Sequence, residues 1–594
     1  MATLATIPNG PSAPAAAAMA VAPTAQHKKL HGRAFYESIG SPKYIVAPMV
    51  DQSEFIWRML SRSFLPESER SSMLAYTPMF HARLFAESQR YRDSHFEPMR
   101  DSIPDIQPDP VPTFTPHLDG NPAIDRPLFV QFCANDPETL LAAAKLVVPY
   151  CDAVDLNLGC PQGIAKKGHY GSFLQEDQTL IYKLINILHE NLSIPVTAKI
   201  RILETKEATL EYAKNVLRAG ASILTVHGRR REQKGHITGL ADWNMIRYLR
   251  DNLPAEAVLF ANGNILQHGD LAKCLAATGA DGVMSAEGNL SNPGIFAVPP
   301  PVGEEPLEYW RGKDGRGGWR VDAVFRRYLD LIHQYVRGKE PPKRRPLFVP
   351  GDDTKWMETA LEGMDVPPLS SKTKTGRSLD KRSSGKTEAL HSPNYVGVQA
   401  HLFHLLRHLV SVHHDVRNAL ARSKMGDISV YENILEMVER KVAEGLIEYE
   451  KTDGQNVAAD DPVIVKEGEG VEEEVVDDIE SSVRTVRECK RPWWAVQPII
   501  RPLPKEALAK GAIQPKGKKQ QHAPNGNGEQ QQAKDKKRKD KENKKIVASV
   551  VAAAACVAGA TLVAGAEQQK DGTGASLKRK FDDSESSKSV KALT

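Results

Sequence analysis

Cysteine is scarce in this chain of 594 residues: there are six, none in a CxxC or other zinc-ligand spacing. So few exclude a disulfide scaffold and favour a reducing, intracellular compartment. Aromatic residues make up only 6%, against 42 Gly and 40 Pro. That balance suggests an ordered, enzyme-sized portion diluted by low-complexity sequence. An excess of one charge is also missing, since 78 basic and 74 acidic residues leave +4. A polyanionic partner must therefore be held by local basic patches and not by net charge. The first 33 residues contain no acid, but they have no Arg before Arg33 and no basic stretch ahead of the apolar run 15–22. Both absences argue against a targeting peptide and leave a disordered extension over 1–36.

Long hydrophobic runs are absent but for one. Residues 546–566 carry no charge, yet they are Ala-rich, with a single Ile and a single Leu. Leu and Ile supply most of the drive for insertion, so no membrane span is expected. Ahead of it, 505–545 holds 13 basic and 5 acidic residues. Lys536-Lys537-Arg538-Lys539 and Lys578-Arg579-Lys580 suit a nuclear-localisation signal, a nucleic-acid arm or simply a solvated tail. The acidic stretch 461–480 reads as a linker, and 451–594 as a whole as a low-complexity tail. A cytoplasmic or nuclear monomer follows as the expectation.

What the chain does have is a regular beat of eight short apolar runs, at 44–50, 74–80, 128–134, 153–159, 196–202, 223–229, 258–264 and 282–288. Each is the length of a buried parallel strand. Helical stretches at 137–148, 178–190, 206–219 and 271–278 lie between several of them. Eight strand–helix units predict a closed (β/α)8 TIM barrel over 37–300, whereas an open doubly wound sheet gives no reason for eight. One connection is too long: eight of the residues 98–127 are Pro, which reads as a surface insertion. Helical periodicity returns at 319–336, 395–424 and 428–442. It predicts a small helical domain over 315–450 with a disordered insertion at 365–390.

In such a barrel, chemistry sits at the C-terminal strand ends. Those ends carry Pro48, Met49 and Val50, then Gln131, Asn157 leading to Cys160, Lys199 and Arg201, His227, Asn262-Gly263-Asn264, and Ala286-Glu287. Buried strand ends need no Gln, Lys or His for packing. Loops after the seventh and eighth strands commonly hold a phosphate through backbone N–H groups, with Gly allowing close approach. A phosphorylated planar cofactor, with its ring near Gln131 and Lys199, meets these demands, and FMN is the natural candidate. No G-x-G-x-x-G follows a strand, so a Rossmann-bound dinucleotide is not indicated. Cys160 lies between Gly159 and Pro161, on a turn over the pocket. An ordinary thiol, with a pKa of roughly 8.5, keeps its proton at neutral pH and is a usable general acid.

Over 44–425 these residues resemble the flavin-dependent tRNA-dihydrouridine synthases. The resemblance rests on Ala47-Pro48-Met49-Val50-Asp51, Asp155-Leu156-Asn157-Leu158-Gly159-Cys160-Pro161, Val196-Thr197-Ala198-Lys199-Ile200-Arg201, Thr225-Val226-His227-Gly228-Arg229 and Asn262-Gly263-Asn264. Leu158, Asn264 and Glu287 depart from common family residues; Glu287 stands where many members carry Arg toward the flavin phosphate. The Ala286-Glu287-Gly288 version, Thr77-Pro78-Met79 and Arg491-Pro492-Trp493-Trp494 are similar to the eukaryotic branch acting on uridines 16 and 17 of the tRNA D-loop.

The resemblance implies NADPH, or NADH, as reductant, hydride delivery to uracil C6 from FMN, and C5 protonation by Cys160. It implies flavin contacts from Pro48, Met49, Val50, Gln131, Lys199, His227, Asn262, Gly263, Asn264, Ala286 and Glu287, and uracil or phosphate contacts from Asn157 and Arg201. It also implies that the helical domain grips tRNA phosphates, with Arg326, Arg327, Arg407, Arg417, Arg422, Lys424 and Lys343-Arg344-Arg345 as candidates. His401, His404 and His408 share a helical face, but no carboxylate or Cys completes a metal set, so no metal is expected. Two other readings are an FMN barrel acting on a free pyrimidine, of the dihydroorotate type, and a non-catalytic RNA-binding barrel.

Overall fold

A computed structural model describes residues 29–99, 117–358, 392–454, 482–504 and 506. The sequence expectations for 1–28, most of the Pro-rich insertion, 365–390, the acidic linker, the basic runs and 546–566 lie outside the described residues.

Nine strands form the main sheet: β1 (Tyr44–Val46), β2 (Met73–Tyr76), β3 (Phe80–His81), β4 (Leu128–Cys133), β5 (Ala153–Leu158), β6 (Val196–Arg201), β7 (Ala221–His227), β8 (Val258–Asn262) and β9 (Gly282–Ser285). Their order is β2-β1-β9-β8-β7-β6-β5-β4-β3, and a further β2–β4 pairing closes the parallel barrel. Eight strands make up the ring, and β3 continues β2, pairing in parallel with the upper end of β4. The expected strand 74–80 is thus two pieces. Pro78 has no N–H to give to a central ladder, so pairing stops at Thr77 and resumes at Phe80.

Strand pleat sorts the side chains into two sets. On β5, Val154, Leu156 and Leu158 face the surrounding helices, while Ala153 belongs to the barrel interior. The interior is apolar at its lower end, with Ile45, Leu74, Phe129, Ala153, Ile223, Val258 and Phe260 all buried. The helix Gly32–Ser38 seals that end. Phe35 stacks on Phe129 at 5.9 Å, Tyr36 meets Phe260 edge-on at 5.8 Å, and the Tyr36 hydroxyl donates to the Asp281 carbonyl at 3.0 Å. The expected disordered extension over 1–36 therefore ends earlier, because two aromatics inside it are needed to close the barrel.

Two further boundaries move. The Pro-rich insertion was expected to be wholly surface, yet its far side carries the buried Asp119 and Asp125, which clamp buried Arg58 at 2.7 and 2.5 Å. The low-complexity tail was expected from 451. Instead, the helix Ile428–Lys451 runs through that point and a later segment folds back on it. Trp494 is 1% exposed, Val321 donates its N–H to the Trp494 carbonyl at 2.9 Å, and Val496 donates to the Trp319 carbonyl at 2.8 Å. Arg491 to Trp494, singled out above as a motif, thus belong to a packed segment inside a stretch whose averaged composition reads as tail.

In the helical module, 317–319 belongs to a hairpin, β10 (Tyr309–Arg311) with β11 (Gly317–Trp319), and the helix begins at Val321. The stretch 395–424 is broken into Val398–Leu405, Arg407–Val412 and His414–Arg422. His401 anchors the module on the barrel, stacked on Trp57 at 3.9 Å with its Nε2 3.0 Å from the Glu54 carboxylate. That is a packing role. Among the described residues, no group of three His, Cys, Asp or Glu side chains is placed to hold a metal. No helix among them is long and apolar enough to cross a membrane.

Candidate active site

At the upper end of the interior the pleat brings polar side chains inward from successive strands. Asp155 pairs in register with Gln131 and Thr197, Asn157 with Lys199, and Arg201 with His227, which in turn pairs with Asn262. Gln131, Asn157, Lys199, Arg201, His227 and Asn262 therefore converge on one mouth. Lys199 Nζ donates to Asn262 Oδ1 at 3.1 Å, and Asn262 Nδ2 donates to the Met284 carbonyl at 2.9 Å, which ties β6, β8 and β9 together.

The Cys160 turn is fixed at every backbone group around it. Cys160 N–H donates to Asn157 Oδ1 at 2.9 Å, and the Cys160 carbonyl accepts from Ser172 N–H at 3.1 Å and Ser172 Oγ at 2.9 Å. Arg201 Nε holds the Gly159 carbonyl at 2.7 Å, and Lys234 Nζ holds the Pro161 carbonyl at 2.6 Å. Gly171, at φ +66°, must be Gly, since a Cβ there would lie 2.8 Å from the Cys160 carbonyl oxygen. The thiol is free and partly exposed. Sequence reasoning singled out Cys160 but missed Ser172 and Lys234, which carry no motif and act only through the fold.

Charge is concentrated here with one sign. Burial, reinforced by Arg201, brings the Lys199 ammonium down to about 8. Burial and Arg229 bring Arg201 to about 10, and burial brings Arg229 to about 10. Burial, with Lys199, Arg201 and Arg229 beside it, holds His227 well below its usual value, so it is neutral. Arg229 Nη1 lies 3.1 Å from His227 Nε2, and a guanidinium can only donate, so the His227 proton sits on Nδ1. Among the described residues, none of Lys199, Arg201 and Arg229 has a carboxylate within salt-bridge distance. A buried mouth with three cations, none of them held in a salt bridge, suits an anionic ligand.

The loop after β8 is held tightly. Arg229 Nη2 and the Ala241 N–H both donate to Asn264 Oδ1, at 2.8 and 2.9 Å. Gly263, at φ +117°, leaves no space for a side chain, since Ala241 Cβ would lie 2.5 Å from a Cβ there. After β9, Ala286 and Glu287 are half-buried, and Glu287 is bound to Arg501 at 2.7 Å. Pro48 and Met49 are half-buried after β1, with Met49 N–H donating to Ser53 Oγ at 3.0 Å, while Val50 is exposed. Arg501 was not foreseen; it comes from the C-terminal segment, and nothing in its immediate sequence marks it.

A dihydrouridine synthase family model matches residues 45–311. The chain is 42% identical over 477 residues to the Schizosaccharomyces pombe tRNA-dihydrouridine(16/17) synthase, covering 80% of this chain and 92% of that protein. It belongs to the dihydrouridine synthase family. The Saccharomyces cerevisiae protein of the same name is 54% identical over 322 residues, covering 54% of this chain and 68% of its own length. A human tRNA-dihydrouridine(20a/20b) synthase-like protein is 32% identical over 256 residues, covering 43% of this chain and 70% of that protein. In dihydrouridine-synthase terms, then, the barrel and its mouth are the family's shared portion, while the similarity to the S. pombe protein extends well beyond it.

Of the cations proposed to grip phosphates, several are otherwise engaged. Arg326 binds Glu439 at 2.5 Å, Arg344 binds Glu432 at 2.8 Å as well as Asp330, and Arg327 binds Glu308. Arg345 lies 3.4 Å from Glu439. These hold the module together. Arg407, Arg417, Arg422 and Lys424 are exposed, with no ion pair among the described residues.

Proposed function

We propose that the chain is an FMN-dependent tRNA-dihydrouridine synthase that reduces uridines 16 and 17 of the D-loop, using NADPH or NADH. The observation that carries this is similarity over nearly the full length of a relative named for that reaction and for NAD(P)(+), in a chain whose barrel mouth presents a cationic cluster free of salt bridges beside a fixed thiol.

The residues present suit FMN. Lys199 retains two N–H donors after its bond to Asn262, neutral His227 offers Nδ1–H, and Gly263 keeps the loop after β8 close. Lys199, His227, Asn262, Gly263 and Asn264, with the backbone N–H groups of Ala286 and Glu287, would hold the phosphate and ring, with Pro48, Met49, Val50 and Gln131 on the other side. When bound and reduced by NADPH, FMN supplies the hydride that uracil C6 receives.

This chain's own part is the proton and the placement. As C6 gains hydride, the C5=C6 electron pair moves to C5, and the Cys160 thiol gives C5 its proton and is left as thiolate, to be reprotonated from solvent. Asn157 and the Arg201 Nη2 group remain to meet the uracil or its phosphate. The base must be unpaired, since neither C5 nor C6 can be reached within a stack. Arg407, Arg417, Arg422 and Lys424 form the exposed surface for tRNA phosphates, so binding should weaken steeply with salt. Cytoplasm or nucleus suits such a substrate.

The test is dihydrouridine mapping on D-loop-containing tRNA treated with purified protein, FMN and NADPH, comparing wild type with Cys160→Ala. Product at uridines 16 and 17, lost in the variant while FMN binding and reduction persist, is the expected result. A yellow, NADPH-reducible wild type that makes no product would overturn the tRNA reading and point to a free pyrimidine.

A further inference from the structure

The interior holds one carboxylate that the proposed chemistry does not use. Asp155 is fully buried on β5, two residues below Asn157, and it accepts from Thr197 Oγ1 at 2.6 Å and from Gln131 Nε2 at 2.8 Å. The bonds continue upward. Gln131 Oε1 accepts from Asn157 Nδ2 at 2.8 Å, and Asn157 Oδ1 accepts from Cys160 N–H at 2.9 Å and Gly159 N–H at 3.2 Å. Four side chains from three neighbouring strands thus form one line that ends on the backbone of the thiol-bearing residue.

The line has a direction, and Asp155 sets it. An ionised carboxylate only accepts, so it compels Gln131 to turn its amide nitrogen downward and its oxygen upward. That oxygen compels Asn157 to turn its nitrogen toward Gln131, leaving the Asn157 oxygen for the two N–H groups at Gly159 and Cys160. Were either amide reversed, two like ends would face each other among buried side chains, a costly arrangement.

We infer that Asp155 is a positioning residue of the reaction: through Gln131 and Asn157 it fixes the amide orientations that hold the Cys160 turn in place. This rests on the reading of Cys160 as proton donor, and it deepens that reading. Burial draws the Asp155 carboxyl up to about 6, while the bonds from Thr197 and Gln131 oppose that rise and keep it an acceptor near neutrality.

The polarity makes a sharp experiment possible. Asp155→Asn can turn either end of its amide to Gln131, so the polarity is no longer compelled; kcat should fall several-fold, less than in Asn157→Asp. Asn157→Asp puts an acceptor against Gln131 Oε1 and breaks the line; kcat should fall at least tenfold. The double variant Asp155→Asn/Asn157→Asp restores every bond with Gln131 turned over, and it should recover most of the loss. A merely structural role for Asp155, or a solely substrate-contacting role for Asn157, predicts a double variant no better than Asn157→Asp.

The same set is read without tRNA by the rate at which Cys160 is alkylated by iodoacetamide. It should change several-fold in Asn157→Asp and return toward wild type in the double variant. That arm does not depend on dihydrouridine formation, so failure of the positioning role and failure of the tRNA reading can be told apart. If Asn157→Asp does not fold, folding regained in the double variant is the expected coupling. A double variant as impaired as Asn157→Asp in kcat, alkylation and folding would overturn the inference, as would an unaffected Asn157→Asp.

Discussion

Lys199 reaches from β6 past β7 to place its ammonium 3.1 Å from Asn262 Oδ1 on β8. It is the buried cation nearest to losing its charge under physiological conditions. Burial, with Arg201 beside it, brings its pKa to about 8 from 10.5. Between those values the unfolded chain holds a proton that the folded chain has released, so stability rises with pH across that window. Function should run the other way, since the cation near the proposed flavin is lost above about 8. Flavin reduction by NADPH should show an alkaline limb in flavin affinity and rate. In Lys199→Met that limb should vanish and affinity should be low throughout. Denaturation of the flavin-free protein at pH 7.5 and 9.5 should show the wild type gaining on Lys199→Met at the higher pH.

A second titration lies away from the mouth. Glu97 accepts from Ser392 Oγ at 2.6 Å and Asn394 Nδ2 at 3.3 Å, which links the barrel's long insertion to the helical module. Burial raises its carboxyl to about 7 from 4.5. Here the folded chain keeps a proton that the unfolded chain has lost, so this group's contribution to stability declines as pH rises from 4.5 to 7. Glu97→Gln should flatten that slope, with little change at pH 5 and a higher melting temperature than wild type at pH 7.5. Melting curves at the two pH values check it.

The barrel was legible because its signal is repeated: eight apolar runs of strand length cannot easily be read another way. The positions of Cys160, Lys199, His227 and Asn262 at strand ends were legible for the same reason, since pleat and register follow once the strands are known. What stayed hidden depends on distant partners. Nothing local says that Ser172 holds the Cys160 carbonyl, or that Arg326 and Arg344 serve Glu439 and Glu432 and not a phosphate. Asp155 did leave a trace, a lone acid in the middle of the buried run Ala153–Leu158. The segment around Trp494 was visible as a motif, but its packing was not, because a few anchoring residues outweigh the charged sequence that dominates its average composition.

That segment gives a stability prediction. Trp494 is 1% exposed and lies edge-on to Trp310 and to Trp493, and a Cβ at Gly445 would come within 2.7 Å of both Trp493 and Trp494. Trp494→Ala should cost ~3–5 kcal/mol, the usual range for deleting a buried Trp. Chemical denaturation should show the midpoint falling without any change in the chemistry of residual folded enzyme. A loss below about 1 kcal/mol, the level of ordinary surface changes, would mean that the segment does not stay docked in solution.

The last prediction concerns how the same segment meets the mouth. Arg501 donates to the Glu287 carboxylate at 2.7 Å, and its Nη1 lies 3.5 Å from the Gly235 carbonyl. Both side chains are partly exposed, so the pair should contribute under ~1 kcal/mol to stability. Its effect on a bound anion should be larger. Glu287 immediately follows Ala286 after β9, where a flavin phosphate is proposed to lie, and without Arg501 its carboxylate loses its ion-pair partner and weighs against that phosphate. Arg501→Ala should therefore leave the melting temperature of the flavin-free protein nearly unchanged while weakening FMN binding several-fold. Adding Glu287→Gln to Arg501→Ala should return most of the affinity, because no lone carboxylate remains. Fluorescence titration of FMN into the flavin-free proteins measures all of these. Equal affinity in wild type and Arg501→Ala would place the phosphate out of reach of Glu287.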